Sequence, residues 1–169
     1  MGASQPPRLH PPHQDGKLRA TYTRRDGLAS EQVFALAVDA DGYKWIGTGA
    51  GGASRYRDKA WRTYFPMHGL ADYWIYAFAN DRQGDLWIGT WAGVSRFDLK
   101  TGTFRNYVKE LINEWVYGIG VDKTGRIWFG TEGGVSMHDG RTWKSWTSKD
   151  GLGAPNVANL PPSANTGLG

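Results

Sequence analysis

The sequence predicts an all-β protein made of β-propeller blades, with four antiparallel strands per unit, three complete units and partial strands on either side. Three observations carry that prediction. One phrase occurs three times, as Trp45-Ile46-Gly47-Thr48, Trp87-Ile88-Gly89-Thr90 and Trp128-Phe129-Gly130-Thr131, at Trp-to-Trp steps of 42 and 41 residues. The same step links Val33, Ile75, Val116 and Val157; Asp39, Asp81 and Asp122; and Gly42, Gly84 and Gly125. The composition agrees: 24 Gly and 9 Trp in 169 residues fit tight turns between short aromatic strands, and no segment keeps a helical period.

Residues 1–16 are rich in Pro, His and Gln and lack the apolar core of a secretory signal, so they read as a disordered tail. Residues 17–160 read as a partial propeller with blades at about 31–66, 73–108 and 114–148. Leu18 to Thr23 occupies the fourth-strand position of a preceding unit, with Tyr22 equivalent to Tyr64, Tyr107 and Trp146.

The second unit shows the blade most plainly. Ile75-Tyr76-Ala77-Phe78-Ala79 is a short apolar run suited to a buried strand. Asp81-Arg82-Gln83-Gly84 turns the chain, the Gly supplying a positive φ that other residues resist. Leu86 to Thr90 is the second strand, Val94 to Phe97 the third and Thr103 to Tyr107 the fourth. The first unit has one extra glycine in its second loop (Gly49-Ala50-Gly51-Gly52). The third has a shorter entry, Glu110-Leu111 standing for Gly27-Leu28, Gly69-Leu70 and Gly151-Leu152. Such changes fall in loops, where chain length is least constrained.

A fourth unit begins and stops. Asn156 to Leu160 matches a first strand, but Ser163 and Thr166 stand where the turn Asp and Gly belong, after Pro161-Pro162; residues 161–169 read as a second disordered tail. Propellers close with more blades than three. The sequence therefore predicts two exposed end faces, covered by missing blades of a longer chain, by self-association or by a partner chain.

The run Gly-Leu, Val-x-Ala, Asp-x-x-Gly, Trp-Ile-Gly-Thr, Gly-Gly, Ser-Arg-Tyr, across about Leu18 to Leu160, resembles the two-component regulator propeller repeat. That family is known from extracytoplasmic sensor regions of bacterial hybrid histidine kinases. The resemblance implies a sensor module, a periplasmic or extracellular location and glycan-type ligands. No signal peptide, kinase or DNA-binding segment is evident in the sequence.

Other classes find little support. A charge of +4 spread along the chain, with Arg24-Arg25 its densest point, gives no nucleic-acid footprint. No apolar run reaches the length of a membrane span, and with no cysteine there is no disulfide framework. No cofactor or metal is predicted: Asp39-Ala40-Asp41-Gly42 lacks the later acidic ligands of a calcium loop, and His68 and His138 are expected in loops on opposite faces. Antibiotic-inactivating lyases of the virginiamycin B type share Trp-containing propeller repeats, but no matching set of His, Glu and metal ligands occurs here. The sequence reads as non-enzymatic.

Residues that recur in every unit (Trp45, Trp87 and Trp128; Trp61, Phe104 and Trp143) are expected to fill the space between blades, and the recurring aspartates to form turns. Residues that break the repeat are the candidates for function. Gln32 has Trp74, Trp115 and Asn156 as equivalents, and Trp91 stands where Gly49 and Glu132 stand in its neighbours. Propeller topology puts Trp74, Trp91 and Trp115 on one rim, with Tyr73, Glu114 and Glu132 as further binding residues and His68 and Asn113 nearby. Tryptophans beside carboxylates suit a carbohydrate, another small ligand or a protein partner. The alternative is an aromatic rim that builds a multi-chain assembly.

Overall fold

The computed structural model describes residues 8–10 and 19–151. Leu18, the incipient fourth unit at Asn156 to Leu160 and the tail at 161–169 lie outside the described residues. Among the described residues, fourteen strands form one two-stranded and three four-stranded antiparallel sheets.

The first blade is β3 (Val33–Val38), β4 (Lys44–Thr48), β5 (Ala53–Arg57) and β6 (Ala60–Tyr64). The second is β7 (Ile75–Asn80), β8 (Leu86–Thr90), β9 (Gly93–Asp98) and β10 (Thr103–Tyr107). The third is β11 (Val116–Val121), β12 (Ile127–Thr131), β13 (Gly134–His138) and β14 (Trp143–Trp146). Each sheet is a meander in chain order, and the expected strands of the second unit are all present. Before them, β1 (Arg8–His10) pairs with β2 (Arg19–Thr21), so part of the stretch read as a disordered tail is a strand.

The repeated aspartates do more than turn the chain. Asp39 Oδ1 accepts from the backbone N–H of Asp41 and Tyr43, and Oδ2 accepts the Trp45 indole N–H at 2.7 Å. Asp81 does the same for Gln83, Asp85 and Trp87, and Asp122 for Thr124, Arg126 and Trp128. Asp and Trp therefore keep a six-residue separation because one buried carboxylate satisfies both a turn and an indole. Each carboxylate also meets a guanidinium. In the first two blades it comes from the third strand, as Arg55 and Arg96. In the third blade Met137 stands there, and Arg126 reaches Asp122 instead, Nε to Oδ2 at 2.8 Å. Burial pushes the Asp122 carboxyl upward, but hydrogen bonds from Trp128, Thr124 and Arg126 outweigh it and hold the group well below the usual carboxylate range.

Between blades the contact is aromatic. Trp45, fully buried, stacks on Tyr64 at 5.4 Å and meets Phe97 edge-on at 5.0 Å; Ile75, Ile88 and Leu70 complete that layer. Trp87 repeats the arrangement with Tyr107 and Phe129 against the third blade. Phe104 and Trp143 fill these two layers as expected. Trp61 occupies the same strand position, yet its partners are Tyr22 and Tyr56 on the outer side of the first blade.

The two end faces differ, contrary to the expectation that both would be open. Leu36, Val38 and Val33 of the first blade are 72%, 54% and 41% exposed. At the far end Trp128, Val135, Met137 and Trp146 are all buried. His138, expected in a loop, is the last residue of β13. It lies buried with its ring stacked on Trp143 at 4.5 Å, in the place held by Phe97 one blade earlier. Burial lowers its pKa, so it serves the core as a neutral aromatic.

Candidate functional site

The rim where fourth strands hand over to first strands is built by one device used three times. Two residues before each candidate position a short polar side chain accepts that position's backbone N–H: Ser30 Oγ from Gln32 at 3.2 Å, Asp72 Oδ1 from Trp74 and Asn113 Oδ1 from Trp115, both at 2.8 Å. The carbonyl of the candidate residue then accepts from the loop between second and third strands: Gly49 N–H to Gln32, Trp91 N–H to Trp74 and Glu132 N–H to Trp115. Side chains from two different loops are thereby fixed next to one another. These short-range polar caps recur at the repeat period and were legible as Ser30, Asp72 and Asn113, but sequence reasoning passed over them.

The result brings the three non-repeating tryptophans together. Trp91 sits edge-to-face against Trp74, ring centroids 5.3 Å apart, and against Trp115 at 5.1 Å. Trp91 is 37% exposed, and its two partners are half-buried. On the other side Trp74 stacks against Phe34 at 6.1 Å, with the ring planes 24° apart. Gly49 makes that approach possible: a Cβ there would come within 2.7 Å of both Gln32 Oε1 and Phe34 Cε2, and 3.1 Å of Trp74.

A second aromatic row was missed by sequence reasoning. Phe34, Tyr76 and Tyr117 follow Val33, Ile75 and Val116 in each unit, and the register of every first strand shifts at that residue. Such a bulge re-aims one side chain away from the regular alternation. The three rings contact in series, Phe34 to Tyr76 at 5.6 Å and Tyr76 to Tyr117 at 5.4 Å. They recur in every unit, so the signal was available. The assumption that recurrence means packing between blades set it aside.

The remaining candidates divide. The Glu132 carboxylate interacts with the Tyr117 phenol, which burial and then that charge push above its ordinary pKa. Burial and then Asp72 push Tyr76 the same way. Glu114 is exposed and its carbonyl accepts from Gly93 N–H at 2.7 Å. Tyr73 belongs to a different group: its ring lies 6.0 Å from Phe65, beside His68, whose Nδ1 accepts the Phe65 N–H. Asn113 is committed to its cap on Trp115. Among the described residues no group of three or more His, Cys, Asp or Glu gathers to hold a metal.

The rim is acidic. The charged residues in its central segments (29–32, 71–74 and 112–115) and at the loop residues 49–52, 91–93 and 132–134 are Glu31, Asp72, Glu114 and Glu132, on a chain whose net charge is +4. Stacking surfaces of this kind favour flat apolar faces, and carboxylates accept hydroxyl or ammonium protons.

The model of the two-component regulator propeller repeat matches residues 69–92 and 110–133. No curated protein matches the chain in sequence. Among solved structures, the extracellular domain assigned to the hybrid two component system BT3049 of B. thetaiotaomicron superposes with a TM-score of 0.74 at 23% identity over 82% of this chain and 20% of that one. The corresponding domain of BT4673 gives 0.71 at 20% identity over 89% and 22%. Virginiamycin B lyase from Staphylococcus aureus gives 0.61 at 19% identity over 79% and 46%. The chain thus spans about a fifth of the length of these extracellular domains and just under half of the lyase, and at these identities the likeness is one of fold. No helix among the described residues is long and apolar enough to cross a membrane. Two successive units thus match the two-component regulator propeller repeat, and the blades share the fold of those extracellular domains.

Proposed function

We propose that this propeller segment is a non-enzymatic, extracytoplasmic sensor module that binds its ligand on the aromatic rim formed by Trp74, Trp91 and Trp115. The observation that carries this reading is the contact series Trp74–Trp91–Trp115, flanked by Phe34, in which tryptophans that break the repeat are held together by backbone bonds that recur in it. Packing between blades does not require these rings there. That work falls to Trp45 and Trp87 one layer outward. The favoured ligand is a carbohydrate, its apolar ring face on an indole and its hydroxyls on Glu114 and Glu132. The four rim carboxylates favour neutral or aminated sugars over uronates and sulfated glycans. The extracellular setting of the structural relatives supports the location.

Intrinsic tryptophan fluorescence, titrated with neutral, aminated and uronate oligosaccharides, tests this. The expected result is a saturable change with a neutral or aminated oligosaccharide that Trp74→Ala and Trp115→Ala abolish without moving the melting temperature. Loss of folding or solubility in those variants, with no saturable change in the parent chain, overturns it. The alternative, an assembly module, has its own surface in the uncovered face of the first blade.

A further inference from the structure

The uncovered face of the first blade is a groove of about 440 Å³ lined by Tyr22, Leu28, Leu36, Ile46, Tyr56 and Trp61. Its walls have equivalents one blade on, at Tyr64, Leu70, Phe78, Ile88, Phe97 and Phe104, and those six surround or adjoin the indole of Trp45. The correspondence extends to ring contacts. Tyr22 lies 5.2 Å from Tyr56 and 5.6 Å from Trp61, as Tyr64 lies 5.5 Å from Phe97 and 5.3 Å from Phe104. Tyr107 meets Trp143 at 5.2 Å in the next interface. Tyr22 therefore plays the part of a fourth-strand aromatic from a preceding blade. The side chain lacking at this interface is the second-strand indole.

Backbone topology defines how it would arrive. The pair β1–β2 has the antiparallel arrangement of a third and fourth strand, with β2 leading into Tyr22 as the fourth strands lead into Tyr64 and Tyr107. Among the described residues β2 is the strand beside β1, and the edge of β1 away from β2 carries none. In each complete blade that edge belongs to the strand bearing the tryptophan.

We propose that this face is a socket for an extended strand of the repeat's own second-strand type, which adds antiparallel to the edge of β1 that no described strand occupies and seats a tryptophan in the groove. Main-chain pairing supplies register and the indole supplies affinity, the division of labour of strand addition to a sheet edge. The inference is independent of whether the rim takes a ligand.

The test uses the full chain and an acetylated, amidated peptide spanning residues 39–49, which carries the Asp39–Trp45 pair. Calorimetry should show saturable one-to-one binding, with a rise in melting temperature. Trp45→Ala in the peptide should weaken it at least tenfold, as truncation of a buried anchor does. Leu36→Glu in the chain, at a side chain 72% exposed, should do the same without loss of folding; Lys44→Glu at the groove's rim is the second variant. Trp91→Ala should leave peptide binding unchanged, which separates the socket from the rim. Absence of binding, or a peptide without Trp binding equally well, overturns the proposal. So does a multimer of the chain, seen by light scattering and dispersed by Leu36→Glu, because the occupant is then a second copy.

Discussion

The same face of the same kind of sheet occurs in this molecule both covered and uncovered. In the second blade Phe97 is fully buried beneath Trp45; in the first, Tyr56 holds the equivalent place in the same register against its fourth strand and remains partly accessible. Both sheets are complete four-stranded meanders. A blade's strands therefore form through their own pairing and turn networks, whereas burial of its face is conferred by a neighbour. The distinction separates what a repeat carries within itself from what it needs from the next one.

Truncating the two equivalent rings tests that separation most directly. Phe97→Ala should cost about 3–5 kcal/mol in denaturant unfolding, and Tyr56→Ala less than about half of that. Equal costs would break the comparison. The turn carboxylates should behave oppositely, because their network closes within each blade. Asp39→Ala and Asp81→Ala should each cost about 3 kcal/mol, by stranding an indole and two backbone donors, with little difference between the covered and uncovered blade.

In the third blade the same carboxylate is sensitive to pH. Folding lowers the pKa of Asp122, so its contribution is present above the unfolded value of about 3.9 and is lost as pH falls through the lower folded value. Asp122→Ala should therefore be less stable than the parent at neutral pH, with the gap narrowing on acidification. A constant gap would remove the charge from the explanation. Smaller still, Leu36→Glu should change stability by less than about 0.5 kcal/mol, while Phe78→Glu, the same position under Trp45, should cost several times more. Trp91→Ala should shift stability by about 1 kcal/mol or less, since its ring is partly in solvent and its neighbours hold their places through backbone bonds.

The repeat made the blades legible, down to the strands of the second unit, because side-chain period and turn chemistry agree at every level. It also singles out Trp74, Trp91 and Trp115 as neighbours on one rim, since departures from a pattern stand out against it. What it hid were features that recur for a reason other than packing. Phe34, Tyr76 and Tyr117 repeat like core residues, but a one-residue shift in register turns them along the inner strands. No period in the sequence records a bulge. His138 was misplaced for the complementary reason. In sequence a titratable residue suggests a loop group, whereas its place in β13 belongs to a stacked ring. Tyr73 neighbours Trp74 in sequence yet packs on Phe65, since adjacent residues at a strand entry diverge.

The carboxylate of each blade is answered by an indole, a turn and a guanidinium of that same blade, and the third obtains its guanidinium from the turn before its second strand instead of from its third strand. In hereditary terms, each unit is a self-sufficient copy. An in-frame duplication of 41 or 42 codons would bring that carboxylate network with it and leave the seams between blades to be matched. At position 137 Met stands where the other two blades have Arg, and the third blade's buried carboxylate is satisfied all the same.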